Sequence, residues 1–98
     1  MQTIELIQFQ VSPERESAFV QERAAVDAWV HGLDGHLGTE LVNLSGGQWM
    51  MLVRWRDAEA MAKAQKETEG APEISAWIQK NASFRAFQQG ELAYSFPR

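Results

Sequence analysis

Cysteine is absent from this 98-residue chain, which excludes disulfides, thiolate nucleophiles and thiolate metal sites. Positive charge is scarce as well: nine Lys and Arg stand against 13 Asp and Glu, a formal net charge of −4. Arg54 and Arg56 form the only close arginine pair, so the clustered basic surface that nucleic acid demands is missing. No run comes near the ~18 apolar residues of a membrane span, and the amino terminus, MQTIELIQFQV, carries no basic segment ahead of an apolar one. A soluble cytoplasmic protein is expected, with neither membrane nor nucleic acid as partner. Low-complexity tracts and long polar runs are also lacking, and 45% hydrophobic with 22% charged residues is an ordinary globular balance. A chain of this size buries roughly 65% of the surface its unfolded form exposes. One thin core, and a single domain over residues 1–98, follow.

What the chain does carry is alternation with clear punctuation. Thr3 to Val11 reads as a strand, with Ile7, Phe9 and Val11 on one face and Ile4, Leu6, Gln8 and Gln10 on the other. Ser12-Pro13 reads as an N-cap followed by proline at the first helical position, with Glu14 and Glu16 near the positive end of the helix dipole. The helix is expected to run to about His31, burying Phe19, Val26, Trp29, Val30 and Leu33, while Glu14, Arg15, Glu22, Arg23 and Asp27 lie mostly off that stripe. Gly32 is its expected stop. A second strand from about His36 to Leu44 leads through Ser45-Gly46-Gly47-Gln48, a hairpin turn, into the third, GGQWMMLVRW. Asp57 is placed to cap the next helix, which Gly70-Ala71-Pro72 separates from a further helical stretch from Pro72 to about Ala82. After Phe84 and Phe87, Gly90 is expected to open a last edge strand in which Leu92, Tyr94 and Phe96 alternate.

The order strand, helix, strand, strand, helix, strand is the split βαβ arrangement: an α+β, ferredoxin-like βαββαβ antiparallel sheet with helices on one face and strands one and three at its centre. The third strand is apolar on both faces. Trp49, Met51, Val53 and Trp55 are expected beneath the helices, leaving Met50 and Leu52 with Ile7 and Phe9 on a bare face too apolar for a monomer. An identical sheet is the most economical cover, which gives a homodimer closing as a dimeric α+β barrel. Arg54 falls on that face and is expected to pair with Glu5 or Glu40 across subunits.

Val53-Arg54-Trp55 at the strand end, the following Arg56-Asp57-Ala58-Glu59-Ala60-Met61, the Val11-Ser12-Pro13-Glu14 helix approach with Phe19, and Ser83-Phe84-Arg85-Ala86-Phe87 together resemble the antibiotic biosynthesis monooxygenase family of dimeric α+β barrels. The resemblance spans nearly the whole chain. It implies a cavity between sheet and helices that holds a flat aromatic or polyketide-like small molecule, and oxygenation without metal, flavin or heme. An electron-rich phenol or anthrone, once deprotonated, reduces dioxygen itself, so such a protein need only desolvate, orient and stabilise the anion. Trp55 matches the strand-end tryptophan of the quinone-forming members, where Met51 replaces their asparagine, Met61 their tyrosine, and Ile74 to Ile78 the region of their helical arginine. Heme degradation, the activity of another branch, relies on a first-strand asparagine and a second-helix histidine; this chain has no asparagine before Asn43 and no histidine after His36.

On that resemblance Trp55 and Gln8 are the expected catalytic residues, Gln8 by reaching into the cavity to orient a carbonyl or anion. Trp49, Met51, Met61, Trp77 and Ile78 are the expected substrate-binding wall, polarisable enough to repack around flat ligands. No cofactor is expected. His31, Asp34 and His36 have a metal-like composition but straddle a glycine-rich helix exit, where solvated loop residues are the plainer expectation. Two functions stay open: a cofactor-independent monooxygenase, and a non-catalytic small-molecule binding or regulatory module using the same pocket. A lyase or isomerase needs an acid and base pair, and periodicity places none in the pocket.

Overall fold

The computed structural model describes residues 1–97. It contains β1 (Thr3–Gln10), α1 (Glu16–Val30), β2 (His36–Ser45), β3 (Gln48–Trp55), α2 (Ala58–Glu69), α3 (Pro72–Asn81) and β4 (Ser83–Glu91), and the four antiparallel strands lie in the order β2-β3-β1-β4. The expected α+β architecture is therefore present, with β1 and β3 central. Local chemistry explains most boundaries. Asp57 caps α2 by accepting the Ala60 N–H at 2.8 Å. Pro72 starts α3, and Ser45, Gly46 and Gly47 all take positive φ in the β2–β3 turn. At α1 the chain differs from expectation: Pro13–Arg15 forms a 3₁₀ turn, and the Ser12 side chain caps nothing. The positive φ after α1 belongs to Gly35, not Gly32.

Cross-strand register fixes the two sheet faces. Glu5 pairs with Val53, Ile7 with Met51 and Phe9 with Trp49, so these residues point toward the helices; Ile4 pairs with Arg54, Leu6 with Leu52 and Gln8 with Met50 on the other face. Phe9 is accordingly buried in the core and Ile7 packs against it. The expectation that Ile7 and Phe9 share the bare face with Met50 and Leu52 is corrected by that pairing. Ile4, Leu6, Val42, Met50 and Leu52 form the apolar part of the bare face, beside an Arg54–Glu40 ion pair made within the chain.

The last strand is also corrected. β4 ends where Gly90 was expected to open it, because Thr3, the first residue of β1, already pairs with Glu91. Beyond this point Leu92 makes one backbone hydrogen bond, to Gln2, and Tyr94 and Phe96 are exposed.

An aromatic cluster centres the core between α1, α3 and the sheet. Phe19 stacks on Trp77 with ring centroids 4.6 Å apart, and Phe9 and Trp49 meet Phe19 edge-on at 5.7 and 5.5 Å. Each such ring contributes roughly 1.5–3 kcal/mol through burial. The cluster pins α1 and α3 to the half of the sheet near Trp49, and the space left toward Trp55 is the cavity described next.

Candidate functional site

A cavity of about 100 Å³ lies between the sheet and the helices, bordered by Glu5, Ile7, Met51, Val53 and Trp55 of the sheet and by Arg23, Val30, Ala64, Gln65, Thr68 and Ile74 of the helices. Its walls are mostly aliphatic. Two buried charged side chains interrupt them, Glu5 on β1 and Arg23 on α1.

Glu5 is held at both oxygens. The Trp55 indole Nε1–H donates to Oε1 at 2.6 Å, and Gln65 Nε2 donates to Oε2 at 3.0 Å. A buried carboxylate needs such partners. Arg23 donates through Nε to Asp27 Oδ1 at 2.6 Å, and its guanidinium carbon sits 4.9 Å over the Trp77 ring. Burial pulls the Arg23 pKa below the ordinary arginine value, against the raising effect of Asp27.

Of the residues expected at the site, Trp55 and Met51 border this cavity. Trp55 uses its N–H on Glu5, so in this arrangement it positions a carboxylate and is not free to donate to a substrate. Gln8 does not enter the cavity: β1 alternation turns it to the bare sheet face, where it is exposed opposite Met50. Gln8 and Trp49 instead line a larger hollow of about 250 Å³ with Gln10, Gln48 and Arg85. That hollow brings together no buried acid and base. Trp49 donates to Glu16, Trp77 donates to the Phe19 carbonyl, and Met61 is buried in the core with Ile78 packed against it. None of Met61, Trp77 and Ile78 borders the cavity.

Glu5, Arg23, Gln65 and Thr68 were not among the expected site residues; Glu5 is a carboxylate and Arg23 a permanently protonated guanidinium, so the two bring charge to the cavity without forming an acid and base pair. Their spacing carried the signal. Buried Phe19, Arg23, Val26 and Val30 recur at helical intervals, and Glu5 has the same parity as Phe9 on β1. His31, Asp34 and His36 disperse into other contacts: the two imidazoles meet at 3.1 Å between Nδ1 atoms, His36 Nε2 lies 2.8 Å from Thr39 Oγ1, and Asp34 pairs with Arg56. Among the described residues, no three His, Cys, Asp or Glu side chains converge as a metal site.

The four-stranded antiparallel sheet with its helices over one face and a cavity between them defines a ferredoxin-like α+β domain. The chain belongs to the antibiotic biosynthesis monooxygenase family, whose profile matches residues 3–90. Among solved structures, SnoaB, a cofactor-independent oxygenase from Streptomyces nogalater, superposes with a TM-score of 0.80 at 13% identity, covering 99% of this chain and 98% of its own. Rv0793 from Mycobacterium tuberculosis gives 0.70 at 16% identity, over 98% of this chain and 99% of its own. MupZ from Pseudomonas fluorescens gives 0.73 at 15% identity over 90% of this chain and 66% of its own. At such identities the likeness concerns the fold. No curated protein matches the sequence, and no helix of the described residues is long and apolar enough to cross a membrane.

Proposed function

We propose that the protein is a cofactor-independent monooxygenase that oxidises a small hydroxylated aromatic in the Glu5 cavity, acting as a homodimer. The observation that carries this reading is the buried carboxylate of Glu5, fixed by Trp55 at 2.6 Å against an apolar wall. A proton acceptor in a water-poor, aliphatic setting is what deprotonation of a phenol requires. Glu5 takes the phenolic proton, and the phenolate passes one electron to dioxygen, giving superoxide and an aryloxyl radical. These combine at the ring carbon para to the oxygen. Loss of that carbon's proton with cleavage of the O–O bond leaves a carbonyl and hydroxide, which recovers the proton from Glu5 as water. One phenol and one dioxygen thus give one quinone and one water. Trp55 and Gln65 act as positioning residues for Glu5, and Met51 with Ile7, Val53 and Ile74 supplies the wall.

Oxygen uptake with a panel of phenols, hydroquinones and anthrones tests the proposal. Glu5→Gln keeps the shape and removes the base, so turnover should fall by roughly 10²–10⁴-fold, while Trp55→Phe lowers it less. An E5Q variant with wild-type turnover removes Glu5 as the base. Inertness of the wild-type protein across the panel, together with thermal stabilisation by the same compounds, would leave the non-catalytic binding module.

A further inference from the structure

Arg23 is the second buried charge at the cavity, and the proton transfer assigned to Glu5 makes no use of it. A guanidinium presents five N–H groups in a fixed planar fork. Here Nε–H is taken by Asp27, whose carboxylate is half-exposed, and among the described residues the two terminal nitrogens make no hydrogen bond. The guanidinium carbon sits 4.9 Å over the Trp77 ring, which helps hold the group in place. Arg23 is only 5% exposed and borders the cavity. The terminal nitrogens are not among the fully buried unpartnered atoms, so they reach the open side of the cavity, where an anion would replace solvent with charge-assisted hydrogen bonds. A planar fork matches a carboxylate in two parallel hydrogen bonds better than it matches a single oxygen.

Size narrows the ligand further. An apolar cavity of about 150 Å³ in another protein accepts benzene, so the smaller space of about 100 Å³ here admits no more than one ring, and that with outward movement of α2 or α3. Glu5 repels an anion, which places a ligand's acid group toward Arg23 and leaves a hydroxyl for Glu5.

We infer that the cavity is a site for a one-ring aromatic carboxylic acid, bound as its anion with the carboxylate on the terminal N–H groups of Arg23. This rests on reading the cavity as the substrate site, and it narrows the substrate to hydroxylated aryl acids. Arg23 is then the specificity-determining residue, and Asp27 and Trp77 hold its fork in place.

Isothermal titration of the wild-type protein with benzoate and with benzamide, its neutral counterpart of the same shape, tests the inference without any turnover. Benzoate should bind at least about tenfold tighter than benzamide, as expected where a charge-assisted contact replaces a neutral one. Arg23→Gln should erase the difference, and Arg23→Lys should keep part of it, because an ammonium retains the charge and loses the fork. Equal affinities, no binding of benzoate, or an R23Q variant that still prefers benzoate would overturn the inference, and the wild-type comparison decides even if R23Q fails to fold. The benzoate preference is read without oxygen, and oxygen uptake without benzoate, so either proposal can fail while the other stands.

Discussion

His36 stands at the start of β2 with its ring edge-on to Trp55 at 5.3 Å between centroids, one nitrogen toward Thr39 and the other toward His31. Burial first, then the positive charges of His31 and Arg23, lower its pKa below the usual histidine value; Asp27 acts the other way. The unfolded chain, titrating near the usual value of about 6.5, therefore binds more protons than the folded one as pH falls. Stability is fully present above pH ~6.5 and is lost as pH drops toward the lower folded value. The melting temperature should accordingly decline between pH 7 and 5, and His36→Gln should flatten that decline. The lowered carboxylates of Glu22, Asp34 and Asp57 act in a separate, more acidic window, their contributions falling as pH drops from about 4. A wild-type melting temperature constant from pH 7 to 5, or an H36Q variant with the full decline, contradicts this account. At this scale the sequence was only partly legible. Trp55 and Met51 stand out because apolar residues advertise burial, whereas Glu5 and Arg23 read as solvated charges until their parity and helical spacing are weighed above their polarity. Gln8 misled for the converse reason: a polar residue on a central strand invites a functional reading, and only the pairing with Met50 assigns its face.

At the scale of elements, the β2–β3 turn shows how backbone and packing demands differ between neighbouring glycines. Gly46 has φ +65° with open space where a Cβ would go, while Gly47 has φ +81° and an added Cβ would lie 2.8 Å from the Val11 carbonyl oxygen and 2.5 Å from Gln10 Nε2. Val11 N–H also donates to the Gly47 carbonyl at 2.7 Å, tying the turn to the end of β1. Gly46→Ala should therefore cost only the left-handed backbone, about 1–2 kcal/mol. Gly47→Ala must in addition move a backbone carbonyl, so it should cost distinctly more. With roughly 4–8 °C of melting temperature per kcal/mol in a domain of this size, thermal unfolding resolves the two, and equal losses would mean the Val11 contact carries no constraint. This turn was readable from its paired glycines, as were α2 from Asp57 and α3 from Pro72. β4 was not, because its position depends on where β1 begins. Leu92, Tyr94 and Phe96 alternate as a strand should, but β1 offers no partner beyond Thr3; a strand is defined by its neighbour, and local alternation is silent about that neighbour.

For the whole molecule, the bare sheet face decides how many chains make the working unit. Helices cover one face, and the other presents Ile4, Leu6, Val42, Met50 and Leu52 with the Arg54–Glu40 pair beside them. Antiparallel sheets commonly leave one face to water, but that face is then polar. Here Leu6 faces Leu52 across the β1–β3 ladder with Ile4, Met50 and Val42 beside them, which in a monomer would leave an exposed apolar patch. A two-fold axis through the sheet would set each copy's Leu6 and Leu52 against the other's and bury both patches with one contact. The Glu5 cavity lies on the opposite face, so dimerisation should support the domain without supplying residues to the site. Sedimentation should thus give a dimer at micromolar concentration, and Leu52→Lys should shift it to monomer with far-ultraviolet circular dichroism retained, since Leu52 lies outside the helix-covered core. Each protomer of L52K should still bind whatever ligand the wild-type cavity binds. A wild-type protein that sediments as a monomer would mean this surface is stable in water as it stands, and an L52K variant that stays dimeric would move the contact to some other part of the molecule.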